Sequence, residues 1–103
     1  MTLGFQYHPD ARQELDEAVD WYEAATPGLG GDFFDEIEAA IADACEGPRR
    51  SPLFPGIAPA LGVRRRVLRR FPYSVAWIVE TENIVIVAIA HARRRPGYWL
   101  DRL

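Results

Sequence analysis

Apolar residues recur at helical spacing twice in the first half of the chain and at strand spacing in the second half. In HPDARQELDEAVDWYEAA (8–25), Ala11, Leu15, Ala18, Val19 and Tyr22 share one helical face. Asp16, Glu17, Asp20 and Glu23 lie mostly elsewhere on that helix. Pro9 suits a first helical position, and Asp10 and Glu14 lie near the positive end of the helix dipole. The helix is expected to end near Ala25. TPGLGG (26–31) breaks it, and Thr26 and Pro27 are expected to cap and open a second helix. That helix carries Phe33, Phe34, Ile37, Ala40, Ile41 and Ala44 on one stripe and stops at Gly47-Pro48. Two amphipathic helices with so short a connection form a helical hairpin whose apolar faces need a partner.

The partner is expected to be a sheet. LGFQY (3–7) alternates apolar and polar residues and reads as a short first strand. Residues 47–62 hold four of the eight prolines and three of the eight glycines, so they read as an irregular crossing loop. Three strands are expected to follow at 63–71, 73–80 and 83–91, joined by hairpin-length connections. Residues 84–90 are apolar on both faces, the mark of a central strand covered on both sides. The fold class is therefore α+β, in the order β-α-α-β-β-β, with the helical hairpin packed on one face of an antiparallel sheet. The 103 residues suit one domain, 1–103.

Charge sharpens this picture. Residues 1–48 hold twelve acids and one arginine; residues 49–103 hold eleven arginines and three acids. The two halves thus carry −11 and +8, against a net charge of only −3. Every basic residue is arginine. One acidic and one basic surface are expected on a single small domain. No apolar run is long enough to span a membrane, and the first residues lack a basic region followed by an apolar stretch. With Cys45 the only cysteine, a cytoplasmic protein without membrane association is expected.

The residue inventory excludes several chemistries. His8 and His91 are the only histidines, and no cysteine pair has ligand spacing, so neither a metal nor another cofactor is expected. Cys45 sits near the apolar stripe of the second helix, where a cysteine acts as a small hydrophobe. GLGG lies between two helices and reads as a turn, not a phosphate loop. The arginines remain. Arg64, Arg65, Arg66, Arg69 and Arg70 belong to one strand segment, and Arg93, Arg94 and Arg95 follow another. A guanidinium fork matches phosphate or carboxylate, and strand alternation lets only some of these side chains share a site. Arg66, Arg69 and Arg94 are the candidates for binding a target or a phosphate. The alternative is pairing with helix carboxylates or coating a sheet edge. His91, ending the last strand, has two readings: a ring satisfied by a backbone group, or a proton-transfer residue beside an arginine. Trp99 is expected to close the core, whereas Tyr98 could present its hydroxyl or stack on a base.

Taken together, these segments resemble the RelE/ParE superfamily of toxins from type II toxin–antitoxin modules. YHPDARQELDEAVDWYE is similar to the first helix of that superfamily and PGLGGDFFDEIEAAI to the start of its second. RRVLRRFPYSVAWIVE is similar to its two strands joined at Phe-Pro-Tyr. IVIVAIAHARRRPGYWLDR resembles its last strand, with terminal His, arginine run, Pro, aromatic pair and closing Arg. The resemblance implies a toxin neutralised by a neighbouring antitoxin, acting either on DNA gyrase (the ParE side) or on messenger RNA at the ribosome (the RelE side). FPY and RRRPGYW look more like the ParE side, and the absence of lysine departs from nucleases that use lysines. A protein that keeps antitoxin binding without toxicity is the third alternative. On the nuclease reading, Arg69 and Arg94 match phosphate-binding arginines, and His91 and Tyr98 match acid/base residues. Arg64, Arg65, Arg93 and Arg95 are the expected antitoxin-binding residues, because an antitoxin supplying carboxylates suits the +8 half.

Overall fold

A computed structural model describes residues 2–103. The chain runs through β1 (Gly4–Tyr7), α1 (Pro9–Ala25), α2 (Leu29–Glu46), β2 (Arg64–Val67), β3 (Tyr73–Val79) and β4 (Asn83–His91), the expected order. Short 3-10 turns occupy Pro59–Leu61 and Leu100–Arg102. The strands form one sheet in the order β1-β4-β3-β2, so β4 is central. Its two hairpin partnerships are antiparallel, but β1 runs parallel to β4, with Phe5 opposite Ile84 and Tyr7 opposite Ile86. The sheet is mixed where an antiparallel one was expected. Hairpin turns dictate direction for β2, β3 and β4, whereas β1 and β4 are joined only through the rest of the chain, and a period of two carries no direction.

The helices begin and end for local reasons. His8 caps α1, its Nδ1 accepting the Asp10 N–H at 3.1 Å, and Pro9 sits in the first turn. Thr26 ends α1, its N–H donating to the Tyr22 carbonyl, so it does not open the next helix. α2 starts at Leu29, and its first donors are satisfied from α1: the Glu23 carboxylate accepts from Gly28 N–H at 2.9 Å and Gly30 N–H at 3.0 Å. The helices approach each other closely here. A Cβ on Gly30 would stand 2.6 Å from the Val19 carbonyl oxygen, so only glycine fits.

The hairpin covers one face of the sheet. Leu15, Phe33, Ile37 and Ile41 are fully or almost fully buried against Val75, Trp77, Ile84, Ile86 and Ile89. Phe34 and Val19 are only partly buried, at the margin of that core. Cys45 is buried there as a hydrophobe, as expected. The other face is covered by the crossing loop and the C-terminal segment: Phe54, Val63 and Trp99 pack over Ala76, Val87, Ala88 and Ala90. β4 is thus apolar on both sides because both sides are covered. β2 is shorter than expected, ending at Val67; Leu68 keeps to the helical face, buried in that core, and its N–H still donates to the Tyr73 carbonyl. Among the described residues no helix is long and apolar enough to cross a membrane.

Candidate binding surface at the end of the central strand

β1 ends opposite Ile86, whereas β4 runs on to His91. Past that point β4 has no strand on its β1 side, and a bulge interrupts its pairing with β3, where Ala76 faces Ala88 but Trp77 faces Ile86. Val87 is the extra residue. A bulge leaves backbone groups unpaired, and buried ones need partners. Two side chains provide them. The Glu14 carboxylate accepts the Ile89 N–H at 3.0 Å, and Arg102 Nη1 donates to the Val87 carbonyl at 3.0 Å. Accepting from one residue and donating to another two positions earlier is what a parallel neighbour strand would do. The carboxylate and guanidinium also bind each other, Nη1 to Oε1 at 3.0 Å and Nη2 to Oε2 at 3.1 Å, a two-pronged pair. Their side chains are only 17% and 12% exposed. Neither residue was singled out in the sequence as a site residue. The available signal was position: Glu14 is three residues after Ala11 and four before Ala18, an acid on the apolar stripe.

Tyr98 completes this cluster. Its hydroxyl donates to Glu14 Oε2 at 2.7 Å. Burial, then the hydrogen bond to Glu14 and its negative charge, raise the phenol far above its ordinary pKa, and the nearby Arg102 and Arg94 offset only part of this. The Arg94 guanidinium lies over the Tyr98 ring, 3.8 Å from its centroid. Gly97 makes the turn that brings Tyr98 back, with φ of 87°, a conformation that favours glycine. His91 Nδ1 accepts the Arg93 N–H at 3.0 Å, and its ring packs edge-on against Tyr73. Trp99 is fully buried and closes the core, as expected.

The arginines divide by face. Cross-strand partners share a face, so Arg64 and Arg66, opposite Trp77 and Val75, face the helices, and Arg65, opposite Ala76, faces away. Arg66 Nη1 pairs with Asp43 of α2 at 2.6 Å, and Arg70 pairs with Asp32 at 3.5 Å. Arg64 donates to the carbonyls of Arg49 and Ser51 and fastens the crossing loop. Arg65 lies over the Phe54 ring at 5.0 Å. Arg69 is exposed in the turn between β2 and β3, and Arg93, Arg94 and Arg95 are exposed beyond β4. Arg66 and Arg94 line different hollows, so the expected trio of Arg66, Arg69 and Arg94 does not form one site.

Beside Tyr98 an open groove of about 580 Å³ runs between α1 and the ends of β3 and β4. Its apolar walls are Ala18, Tyr22, Pro72, Tyr73 and Ile89. Trp21 stands at its edge, 68% exposed. Glu17 lies on one rim, and Arg94 and His91 on the other. An exposed tryptophan beside an apolar groove with mixed charge on its rims is the composition of a protein-binding surface.

The sequence model for the ParE toxin of the type II toxin–antitoxin system parDE matches residues 5–96. The chain belongs to the ParE toxin family. The match spans β1 through the arginine run and stops before Tyr98, Trp99 and Arg102. No curated protein matches the chain. Among solved structures, a chain of the chromosomal ParDE TA system from P. aeruginosa is similar, with a TM-score of 0.75 and 22% identity. The likeness covers 89% of this chain and 98% of that one, and at this identity it concerns the fold. A ParE fold is therefore what carries the groove, the Glu14 cluster and the exposed arginines, and this protein is a toxin of the type II class.

Proposed function

We propose that this toxin acts by binding DNA gyrase and inhibiting it, and that a cognate antitoxin neutralises it. The observation that carries the reading is the engaged state of Tyr98. A general acid or base must reach the proton it moves and must titrate near the working pH. The Tyr98 hydroxyl is committed to Glu14, and its pKa is raised, not lowered. Arg66, which a phosphate site was expected to use, is paired with Asp43 instead. The engagement of Tyr98 and Arg66 supports the binding reading over the nuclease one, and the groove, Trp21 and the exposed Arg93, Arg94 and Arg95 are anchors of the types that dominate protein interfaces. The antitoxin is expected to lay an apolar segment in the groove and to place carboxylates against Arg93 and Arg95, with Arg65 also within its reach.

The test is direct. Purified protein added to gyrase and relaxed plasmid should stop supercoiling, and its antitoxin should restore it. Ribosome-bound messages from the same induced cells should show no new ends by primer extension. Undisturbed supercoiling together with new message ends would transfer the assignment to the nuclease reading.

A further inference from the structure

The sheet has two outer strands, and the chain guards only one of them. At β2 three of the four residues are arginines, the Arg65 N–H donates to the Pro52 carbonyl, and Leu53 bridges to Arg64. Charge and a covering segment are the usual protection of a sheet edge. β1, at the other edge, is GFQY, with no charge and no proline, and its Gly4, Phe5 and Gln6 are exposed. Its backbone is open as well. The His8 N–H donates inward to the Ile86 carbonyl. Alternation therefore turns the backbone groups of Gln6 toward β4 and those of Phe5 and Tyr7 outward. Beyond the sheet pairing, no backbone bond reaches Phe5 or Tyr7 among the described residues. The next outward donor, the Leu3 N–H, is already taken by the Cys45 carbonyl. The Phe5 ring is 46% exposed and meets the Tyr7 ring edge-on at 5.6 Å.

We infer that β1 is a self-association edge, where a second copy of this chain pairs antiparallel with the first and joins the two sheets into one. The open groups fix the register: Phe5 lies opposite the partner's Tyr7, Tyr7 opposite the partner's Phe5, and Gln6 opposite the partner's Gln6 on a two-fold axis. Both Phe5–Tyr7 pairs are then of the kind that exchanges two backbone bonds, so every outward group of the two residues is used. A slip by two residues one way needs Leu3, whose N–H is taken, and the other way needs Pro9, which has no N–H. A slip by one sets outward groups against inward ones. In this register the rings of Phe5 and Tyr7 from both copies meet on the helical face, and the two Gln6 amides face each other on the opposite face. Charge fits the same symmetry. Arg12, the one arginine among the first 48 residues, stands over the Tyr7 ring at 5.5 Å, at one end of β1. Glu46 and Glu82 flank the other end, next to Cys45, which accepts from Leu3, and Asn83, which lies opposite Gly4. Antiparallel pairing brings the arginine end of each copy to the acidic end of the other, a self-complementary contact.

The experiment is sedimentation of the full chain at neutral pH. One strand pair is a contact of the transient class, under about 1,200 Å², so the series runs from about 10 μM to about 1 mM chain. A monomer–dimer equilibrium is expected, and the Phe5 and Tyr7 amides should exchange their hydrogens more slowly at the high end of the series. Phe5→Lys should abolish association, whereas Val67→Lys, the same charge placed on the β2 edge, should change it less than about twofold. The two-fold register has its own signature. Gln6→Glu and Gln6→Lys each set like charges opposite one another and should each weaken self-association about fivefold. Mixed in equal amounts, the two variants should associate about fivefold or more tightly than either does alone, which a loss of folding would not produce. A chain that stays monomeric up to about 1 mM would overturn the proposal. So would association that survives Phe5→Lys, loss of association in Val67→Lys, or a Gln6 mixture no tighter than its components. Neither gyrase nor an antitoxin takes part in this measurement, so its outcome is separate from the proposed target.

Discussion

Replacing Glu14 should cost more stability than any other surface-accessible acid in the chain. Its carboxylate accepts from the Ile89 N–H, the Tyr98 hydroxyl and two nitrogens of Arg102. Glu14→Ala leaves Arg102, only 12% exposed, without its closest counter-charge. It also leaves the Ile89 N–H without an acceptor beside a bulge. Removing one partner of a buried ion pair costs about 3–5 kcal/mol, and one orphaned buried donor about 1–3 kcal/mol. These losses share a cluster and do not add, and residual exposure of the pair discounts the first, so the expected loss is about 3–4 kcal/mol. Glu14→Gln keeps the shape and one acceptor oxygen, and should lose about half of that. Arg102→Met removes the charge that Glu14→Ala strands, so the double variant should lose less than the two single losses summed, with a coupling of about 1–3 kcal/mol. Urea melts of the four proteins measure the cycle. A Glu14→Ala loss below about 1 kcal/mol, the range of an exposed pair, would refute the idea that this pair stands in for a missing strand.

Leu15→Ala and Ile37→Ala empty fully buried positions between hairpin and sheet, and each should lower unfolding free energy by about 2–5 kcal/mol in the same melts. Arg66→Ala breaks a half-exposed pair with Asp43 and should change stability by no more than about 1 kcal/mol. The raised pKa of Tyr98 means the folded state holds its proton after the unfolded chain has begun to release it. This contribution is fully present below the unfolded value of about 10 and is lost as pH rises above it, at up to about 1.4 kcal/mol per pH unit. Melts between pH 9 and 11 should therefore show a shallower decline in Tyr98→Phe than in wild type. Replacing Arg93, Arg94 and Arg95 by Ser should weaken antitoxin binding and flatten its salt dependence in calorimetric titrations, and affinity independent of both would exclude electrostatic docking.

The helices, the hairpins and the doubly covered last strand were legible because each depends on local periodicity or turn chemistry. Parallel pairing of β1 was not, since alternation in Gly4–Tyr7 says nothing about direction or neighbour. The start of α2 escaped because its capping group, Glu23, belongs to the previous helix. The division of Arg64, Arg65 and Arg66 between faces followed from alternation, but the face each took depended on register, which only the pairing with Val75, Ala76 and Trp77 settles. Glu14 and Arg102 are 88 residues apart, and what unites them is a bulge at Val87 inside a uniformly apolar run. Nothing in IVIVAIA marks which residue is the extra one. Tyr98 was legible as a functional candidate and Trp99 as core, yet the partner that engages Tyr98 was hidden with Glu14 in the first helix.

Toxicity of Tyr98→Phe is the measurement that bears most directly on the gyrase reading. The substitution removes only the hydroxyl oxygen, keeps the ring under Arg94, and deletes one of the two groups, with His91, that the nuclease reading uses for proton transfer. Induced in cells and added to purified gyrase, the variant should arrest growth and inhibit supercoiling at close to wild-type concentrations, after allowing for a stability loss of about 1 kcal/mol from the missing hydrogen bond. Loss of toxicity by roughly 10²-fold or more, with the folded protein and its antitoxin binding intact and wild-type message ends gone, would contradict it.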